Sequence, residues 1–297
     1  ADKATLALKA GLCFFRISFM SCSFFAILGA GPSLSYLFKF PRPPQVAPPA
    51  CSLNNVMLSR DEDSNMNFDH FECVSFDCYG TLIDWETGIS SAIRPVLEAH
   101  EVSAGHHALL QLFGEAEAEI QAGPYRSYRD VLKEVLSQIG DVLEFEPSRN
   151  ELERFSASVM NWPAFTDSSQ ALRALATRYR LIILSNIDDD LFRSSQKLLG
   201  VEFDHVFTAQ QIGSYKPSRQ NFEYLIQHAG APQHRILHVA QSLFHDIAPA
   251  NAMGISTMWV DRRQGAAGLG ATPSVEAAPD ATVPDLRSLA VLTGTMA

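Results

Sequence analysis

The spacing of hydrophobic residues changes along this chain and divides it into two kinds of segment. Residues 73–76 (CVSF) form a short apolar run of strand formers, which is typical of a buried strand. Between residues 85 and 164, apolar residues instead recur every three or four positions, as in ISSAIRPVLEAH and HHALLQLFGEAEAEIQ, and this spacing predicts amphipathic helices. One of them, SYRDVLKEVLSQIG, is predicted to end at Gly140. Because no clear strand interrupts this stretch, we expect residues 85–164 to form a helical cap domain inserted after the first strand.

From Thr166 onward, predicted strands and helices alternate. The continuous apolar runs LIILSN, HVFTA, RILHVAQS and ISTMWVD read as strands, and amphipathic segments separate them. This order indicates an α/β fold, a Rossmann-like parallel sheet with helices on both faces, built from residues 66–84 and 165–297. The Gly-, Ala- and Pro-rich tail GAAGLGATPSVEAAPDATVP is predicted to be a surface loop, followed by a last short element, DLRSLAVL.

Residues 1–65 have a different character and are predicted to be an N-terminal extension outside the fold. No acidic residue occurs between Asp2 and Asp61, and residues 17–28 (ISFMSCSFFAIL) are a run of 12 mostly apolar residues. That run is shorter than the roughly 20 residues of a membrane span, although it suits a targeting signal. Three interpretations stay open, in decreasing order: a non-native start upstream of Met66, a targeting segment such as a mitochondrial one, and a membrane anchor.

Composition narrows the classes of function. Charged residues make up 19% of the chain and hydrophobic residues 46%, which is typical of a globular protein. A net charge of -10 without a Lys/Arg cluster excludes a nucleic-acid partner, which would need a basic surface. The five cysteines show no CxxC spacing, so we expect neither a disulfide framework nor a zinc site. A cytoplasmic location is expected, or a mitochondrial one if residues 1–65 are a targeting segment, and a membrane partner is not.

Polar residues follow four of the predicted strands or precede the helices after them. They are Asp77, Ser185 with Asn186, Lys216 in GSYKPS, and Ser242 with Asp246 after LHVA. The carboxyl ends of parallel strands lie at one edge of a sheet, so these side chains should meet there. A carboxylate, hydroxyls and an ammonium at one edge predict a site for covalent catalysis, in which Lys216 would keep Asp77 ionised.

The ordered motifs FDCYGTLID, LSN, YKP and QSLFHD resemble those of the haloacid dehalogenase-like (HAD) hydrolase superfamily, over residues 73 to about 261. Phosphatases of this fold commonly carry a second aspartate two residues after the nucleophile, where this chain has Tyr79. They also carry an acidic Mg²⁺ ligand where this chain has Gln241. A halide leaving group needs neither a proton nor a metal. The resemblance is therefore strongest to the L-2-haloacid (type II) dehalogenases, and it implies a hydrolase of carbon-halide bonds without a metal or another cofactor.

The resemblance also implies roles for individual residues. Asp77 would displace halide from a short 2-haloalkanoic acid, and Asp246 with Lys216 would help water to hydrolyse the aspartyl ester, giving a 2-hydroxy acid. The residues expected to position the nucleophile or contact substrate are Thr81, Ser185, Asn186, Tyr79 and Ser242. Arg126 and Arg129, in the cap segment GPYRSYRDV, are candidates to bind the substrate carboxylate. His245 and Trp85 are expected to form the pocket wall or to pack. The partners implied are a small carboxylate substrate and, as is common in such proteins, a second copy of the chain.

Three positions depart from the dehalogenase pattern. Leu243 stands where those enzymes carry asparagine, Phe222 stands where they carry tyrosine, and LFGEAEAE offers no counterpart to an early cap arginine. Two alternatives consequently stay open. One is a phosphatase or phosphonatase-like hydrolase of a small phosphorylated metabolite, and the other is a binding protein that has kept this fold without its chemistry.

Overall fold

The computed structural model describes residues 66–265 and 270–297, and these contain a six-stranded sheet in which every neighbouring pair is parallel. The strands are β1 (Cys73–Phe76), β2 (Arg180–Ser185), β3 (His205–Thr208), β4 (Ile236–Ala240), β5 (Ser256–Val260) and β6 (Ala281–Val283). Their order across the sheet is β3-β2-β1-β4-β5-β6. This confirms the predicted α/β fold class. The predicted extension at residues 1–65 lies outside the described residues.

Strand β1 lies in the middle of the sheet and is buried along its whole length. Phe76 pairs with Ile183 of β2 on one side and with Val239 of β4 on the other. The backbone N–H of Asp77 continues this ladder and donates to Val239 O at 3.1 Å. The chain order reverses between β2 and β4, so Asp77 leaves β1 at the switch point where such sheets bind ligands.

Alternate residues of the central strands pack on opposite faces of the sheet. Val74 and Ile183 belong to one buried hydrophobic cluster, whereas Cys73 and Ile182 belong to another. Because both faces are covered, the strands are apolar throughout, as the uninterrupted runs in the sequence indicate.

Four helices separate β1 from β2 and form what we term the helical block. They are α1 (Trp85–Ala99), α2 (His106–Gln121), α3 (Tyr128–Val142) and α4 (Arg149–Ala157). Ser148 begins α4 with a capping box, in which its side chain and that of Glu151 bind each other's backbone N–H. The block agrees with the predicted helical insertion, while the proposed division into cap and core domains stays a prediction.

Gly140 does not end its helix, contrary to the expectation from the sequence. Helix α3 continues to Val142, and a β-carbon added at Gly140 would lie 2.5 Å from Phe145 O. The glycine therefore permits close packing of the following turn rather than a left-handed cap.

The remaining helices are α5 (Ser168–Leu175), α6 (Asp189–Leu199), α7 (Ala209–Ile212), α8 (Arg219–His228), α9 (Ala248–Ala252) and α10 (Leu286–Leu292). A single π-helical turn, Leu243–Ile247, precedes α9. The tail is not entirely loop, because Ala281–Val283 forms the edge strand β6 against β5. This strand has three residues, of which only Val283 is buried, so it leaves no readable hydrophobic period. None of the helices in the described ranges has the length and apolar character that crossing a membrane requires.

Candidate active site

A tight turn after β1 folds Thr81 back onto the carboxylate of Asp77. Gly80 adopts a positive φ of 94°, which glycine tolerates without steric cost, and Leu82 N donates to Cys78 O at 2.7 Å to close the turn. Thr81 Oγ1 then donates to Asp77 Oδ2 at 2.7 Å and accepts from Gln241 N at 2.9 Å. The Gly-Thr pair of the first motif thus fixes the orientation of Asp77.

Lys216 joins the two aspartates of the site. Its Nζ donates to Asp77 Oδ1 at 2.9 Å, to Asp246 Oδ1 at 2.6 Å and to Leu184 O at 2.8 Å. All three ammonium protons are therefore used inside the protein, and the side chain is only 1% exposed. A buried ammonium needs this degree of pairing, because an unpaired charge in the interior is costly.

Asn186 positions Lys216 through its main chain. Asn186 Oδ1 accepts from Lys216 N at 2.7 Å, and its Nδ2 donates to Lys216 O at 3.0 Å. The same Nδ2 donates to Gln121 Oε1 on α2 at 3.1 Å. One amide side chain consequently connects the end of β2, the lysine segment and the helical block.

Asp246 is held from below by a histidine of the sheet. His238 Nε2 lies 2.9 Å from Asp246 Oδ1, and His238 Nδ1 lies 2.8 Å from Ser75 Oγ on β1. Ser242 caps the turn that carries Asp246 by accepting from His245 N at 2.9 Å. Asp246 Oδ2 is buried and has no hydrogen-bond partner within the part of the chain that the structure describes. This oxygen is free to accept a proton.

Burial and charge act differently on the two aspartates. Burial raises the pKa of Asp77; the ammonium of Lys216 opposes the rise and the charge of Asp246 adds to it. Burial also acts to raise the pKa of Asp246, but Lys216 and His238 outweigh it and lower that pKa. Burial alone would lower the pKa of Lys216, yet its attraction to the two carboxylates raises it. As the pH rises, Asp246 therefore ionises before Asp77, and Lys216 stays charged.

A cavity at the carboxyl edge of the sheet brings most of the predicted residues together. Its walls are formed by Asp77, Tyr79, Trp85, Glu117, Gln121, Tyr128, Ser185, Asn186, Lys216, Ser242, His245 and Asp246. Tyr79 bonds through its hydroxyl to Ser195 Oγ at 2.8 Å, and Ser185 Oγ is buried without a partner in the described residues. Thr81 lies behind Asp77 rather than in the cavity wall.

The structure does not bring Arg126 and Arg129 to this cavity. Asp188 accepts from Tyr128 N at 2.9 Å and from Arg129 N at 3.1 Å, which fixes the first turn of α3. In that orientation Tyr128 points inward, and Arg129 forms an ion pair with Asp190 at 2.5 Å. Arg126 is exposed, and its main-chain oxygen accepts from the Tyr215 hydroxyl.

Sequence reasoning missed Glu117, Gln121 and Tyr128 of the helical block, and His238 of β4. A signal existed for two of them. Glu117 lies four residues after Phe113 on the apolar side of α2, and His238 interrupts a buried strand, so both occupy positions where polar side chains are rare. Phe222, at the tyrosine position of the dehalogenase pattern, is buried with its ring edge-on to His238 at 5.6 Å.

The donors of this site do not fit the Mg²⁺ ion that phosphatases of this fold bind. Mg²⁺ prefers several anionic oxygens in octahedral geometry. Here Lys216 lies between the two aspartates, and Gln241 is an amide lining a different pocket. Within the described ranges, no cluster of three or more His, Cys, Asp or Glu side chains is arranged to hold a metal ion. We derive no step that requires one.

The fold and the site together define an α/β hydrolase with a buried aspartate at the switch point of a parallel sheet. Comparison with known families agrees: the sequence pattern of the haloacid dehalogenase-like hydrolases matches residues 71–254, more than half of the chain. The protein therefore belongs to the haloacid dehalogenase-like hydrolases.

Individual relatives point to two reaction types. The chain is 26% identical over 215 residues to (S)-2-haloacid dehalogenase H-109 of Pseudomonas putida, covering 69% of this chain and 92% of that protein. It is 28% identical over 197 residues to a phosphoserine phosphatase of Thermus thermophilus, covering 62% and 74%. The solved L-2-haloacid dehalogenase of Xanthobacter autotrophicus superposes with a TM-score of 0.64 at 24% identity, over 76% of this chain and all of that one. At this identity the likeness establishes the fold.

Replacing Thr81 by Val should move the acid limb of the activity profile to higher pH. Thr81 donates to Asp77 and so lowers a pKa that burial has raised; without the hydroxyl that pKa rises further. Activity that needs ionised Asp77 is lost as pH falls through this pKa, so the loss should begin at higher pH in Thr81→Val. Activity measured against pH tests this, with Thr81→Ser expected to restore the profile and exposed Thr177→Val to leave it unchanged. An unshifted limb in Thr81→Val would contradict the role given to the hydroxyl.

Proposed function

We propose that the protein is a metal-independent hydrolase that displaces halide from a short 2-haloalkanoic acid. The observation that carries this proposal is the environment of Asp77. Its carboxylate is bound by Lys216 and Thr81, while the neighbouring positions where a phosphatase would place an acid and a metal ligand hold Tyr79 and Gln241. Halide leaves as a stable anion, so this site lacks nothing that the reaction requires.

In the first step, a carboxylate oxygen of Asp77 attacks the halogen-bearing carbon of the substrate. A carbon–oxygen bond forms as the carbon–halogen bond breaks, and halide departs with the bonding electron pair. The product is an ester between Asp77 and the substrate carbon. Thr81 and Lys216 hold the attacking group in one orientation, which reduces the entropy that must be lost on reaching the transition state.

In the second step, water attacks the carbonyl carbon of the aspartyl ester. Asp246 takes the proton of this water through Oδ2, the buried oxygen that has no partner in the described residues. Lys216 stabilises the negative charge that develops on the ester oxygen, since its Nζ already contacts an oxygen of Asp77. Cleavage of the ester bond releases the 2-hydroxy acid and restores the carboxylate of Asp77.

Halide release tests this proposal. The full chain is expected to release chloride from (S)-2-chloropropionate or chloroacetate, and to do so equally well with EDTA, because no step uses a metal. The stoichiometric product is the 2-hydroxy acid, which chromatography can quantify. Absence of halide from all short 2-haloacids, together with Mg²⁺-dependent hydrolysis of p-nitrophenyl phosphate, would reject the proposal.

The second candidate is hydrolysis of a small phosphate ester, which the phosphoserine phosphatase relative favours. Asp77 would then attack phosphorus instead of carbon. Tyr79 and Gln241 count against this chemistry, because they leave the site without the leaving-group acid and the metal ligand described above. The two assays, run in parallel on one preparation, separate the candidates.

A further inference from the structure

A 2-haloacid is an anion, and the cavity offers no obvious cation to bind it. Lys216 is the only lysine or arginine among the described residues that line the cavity, and its three protons are used by Asp77, Asp246 and Leu184 O. Arg129 pairs with Asp190 instead, and Arg126 lies outside. The substrate carboxylate must therefore be bound by a neutral donor.

Glu117 supplies a carboxyl group to the cavity from α2. The residue is 3% exposed, and its Oε1 accepts from the Tyr128 hydroxyl at 2.6 Å. Its other oxygen, Oε2, makes no hydrogen bond within the described part of the chain, although the residue forms part of the cavity wall. A proton on this carboxyl group would give the cavity a strong, unused donor.

We infer that protonated Glu117 recognises the substrate's carboxylate by donating a hydrogen bond from Oε2, so that the anionic substrate binds only while Glu117 carries its proton. This inference rests on the substrate class of the proposed function. A hydrogen bond to an ionised acceptor is about twice as strong as one between neutral groups. Loss of the proton instead places two carboxylates against each other, and binding is lost.

Several titratable groups share the cavity with Glu117, from each element packed around it. They are Tyr128 of α3, Asp77 and Tyr79 after β1, Lys216 before α8, and His245 and Asp246 of the turn after β4, with Tyr215 behind Tyr128. Burial raises the pKa of each of these tyrosines and lowers the pKa of His245 to about 4, so all four are neutral at pH 7.

Glu117 itself changes charge near neutrality. Burial raises its pKa to about 7, the Tyr128 hydrogen bond lowers it, and the charge of Asp77 raises it. Asp77 also has a raised pKa, but the two carboxyl groups act on turnover with opposite sign. Ionisation of Asp77 creates the nucleophile and increases activity, whereas ionisation of Glu117 repels the substrate and decreases it.

Propionate binding measured by calorimetry between pH 6 and 8.5 tests the inference without requiring turnover. For the full chain, the Kd for propionate should rise about tenfold per pH unit above pH 7, as expected for loss of one proton. In Glu117→Gln this additional rise should disappear, while Glu119→Gln, an exposed change on the same helix, should retain it. Propionamide, a neutral ligand of the same shape, should bind without this dependence.

Tyr128→Phe provides a second variant that keeps Glu117 in place. Removing the hydroxyl removes the hydrogen bond that lowers the pKa of Glu117, so the midpoint of the propionate profile should move to higher pH. Thermal unfolding of each variant checks that the fold is retained.

Three results would overturn the inference: no propionate binding at pH 6, the same weakening with pH in Glu117→Gln as in the parent, or an equal weakening for propionamide. Failure of the proposed reaction gives a different result. In that case propionate binds with the expected pH dependence, but no 2-haloacid releases halide.

Discussion

Asp77→Asn is expected to abolish halide release, with a loss on the order of 10⁴-fold or more, as when a covalent nucleophile is removed. The amide has almost the shape of the carboxylate, but it lacks the charge needed for displacement at carbon. Lys216 keeps its contacts with Asp246 and Leu184 O, so the buried ammonium is not left without partners and the fold should survive. Chloride release from (S)-2-chloropropionate, measured with thermal unfolding, separates lost chemistry from lost structure.

Asp141→Asn is the matched control, because the same change is made at an exposed position of α3. It should leave both activity and unfolding temperature unchanged. A folded Asp77→Asn protein that still released halide at the parent rate would mean that water, or another side chain, attacks the substrate directly.

Asp246→Asn should stop the reaction halfway. Displacement by Asp77 needs no general base, so one halide per protein molecule should still be released. Hydrolysis of the ester needs a group to take the proton of water, and its loss should slow turnover by about 10²-fold or more. Intact mass after mixing with (S)-2-chloropropionate should then show the protein with one covalently bound acyl group on Asp77, absent from the parent at steady state.

The amide also removes a negative charge that raises the pKa of Asp77, which should favour the first step over the second. Glu223→Gln, at a surface ion pair of α8, is a suitable control that should not accumulate the adduct. Equal slowing of halide release in the first turnover and in later ones would show that Asp246 acts before the ester forms.

Motif spacing was sufficient to predict where the chain brings its chemistry together. Asp77, Ser185 and Asp246 come from segments separated by about a hundred or sixty residues, yet each follows a strand, and parallel strands must end at one edge of the sheet. The fold class could be predicted for the same reason, because buried parallel strands leave continuous apolar runs.

The helical block was predicted as a set of helices but not as a wall of the site. Which face of α2 meets the sheet depends on packing between elements distant in sequence, and helical periodicity alone does not encode this. Glu117 was consequently overlooked, and the arginines of GPYRSYRDV were favoured on charge. The deciding contact is Asp188, which binds the first backbone N–H groups of α3 and so turns Tyr128, not Arg129, toward the cavity.

The same contact has a consequence for access to the site. Asp188 follows Ser185 and Asn186 by only a few residues, and Asn186 is bonded in turn to Gln121 of α2. Lifting α2 and α3 to admit a ligand would thus pull on the segment that carries the floor of the cavity and anchors the backbone of Lys216. Entry of substrate and alignment of the catalytic lysine are mechanically linked, so the site assembles fully only when the helices above it have closed.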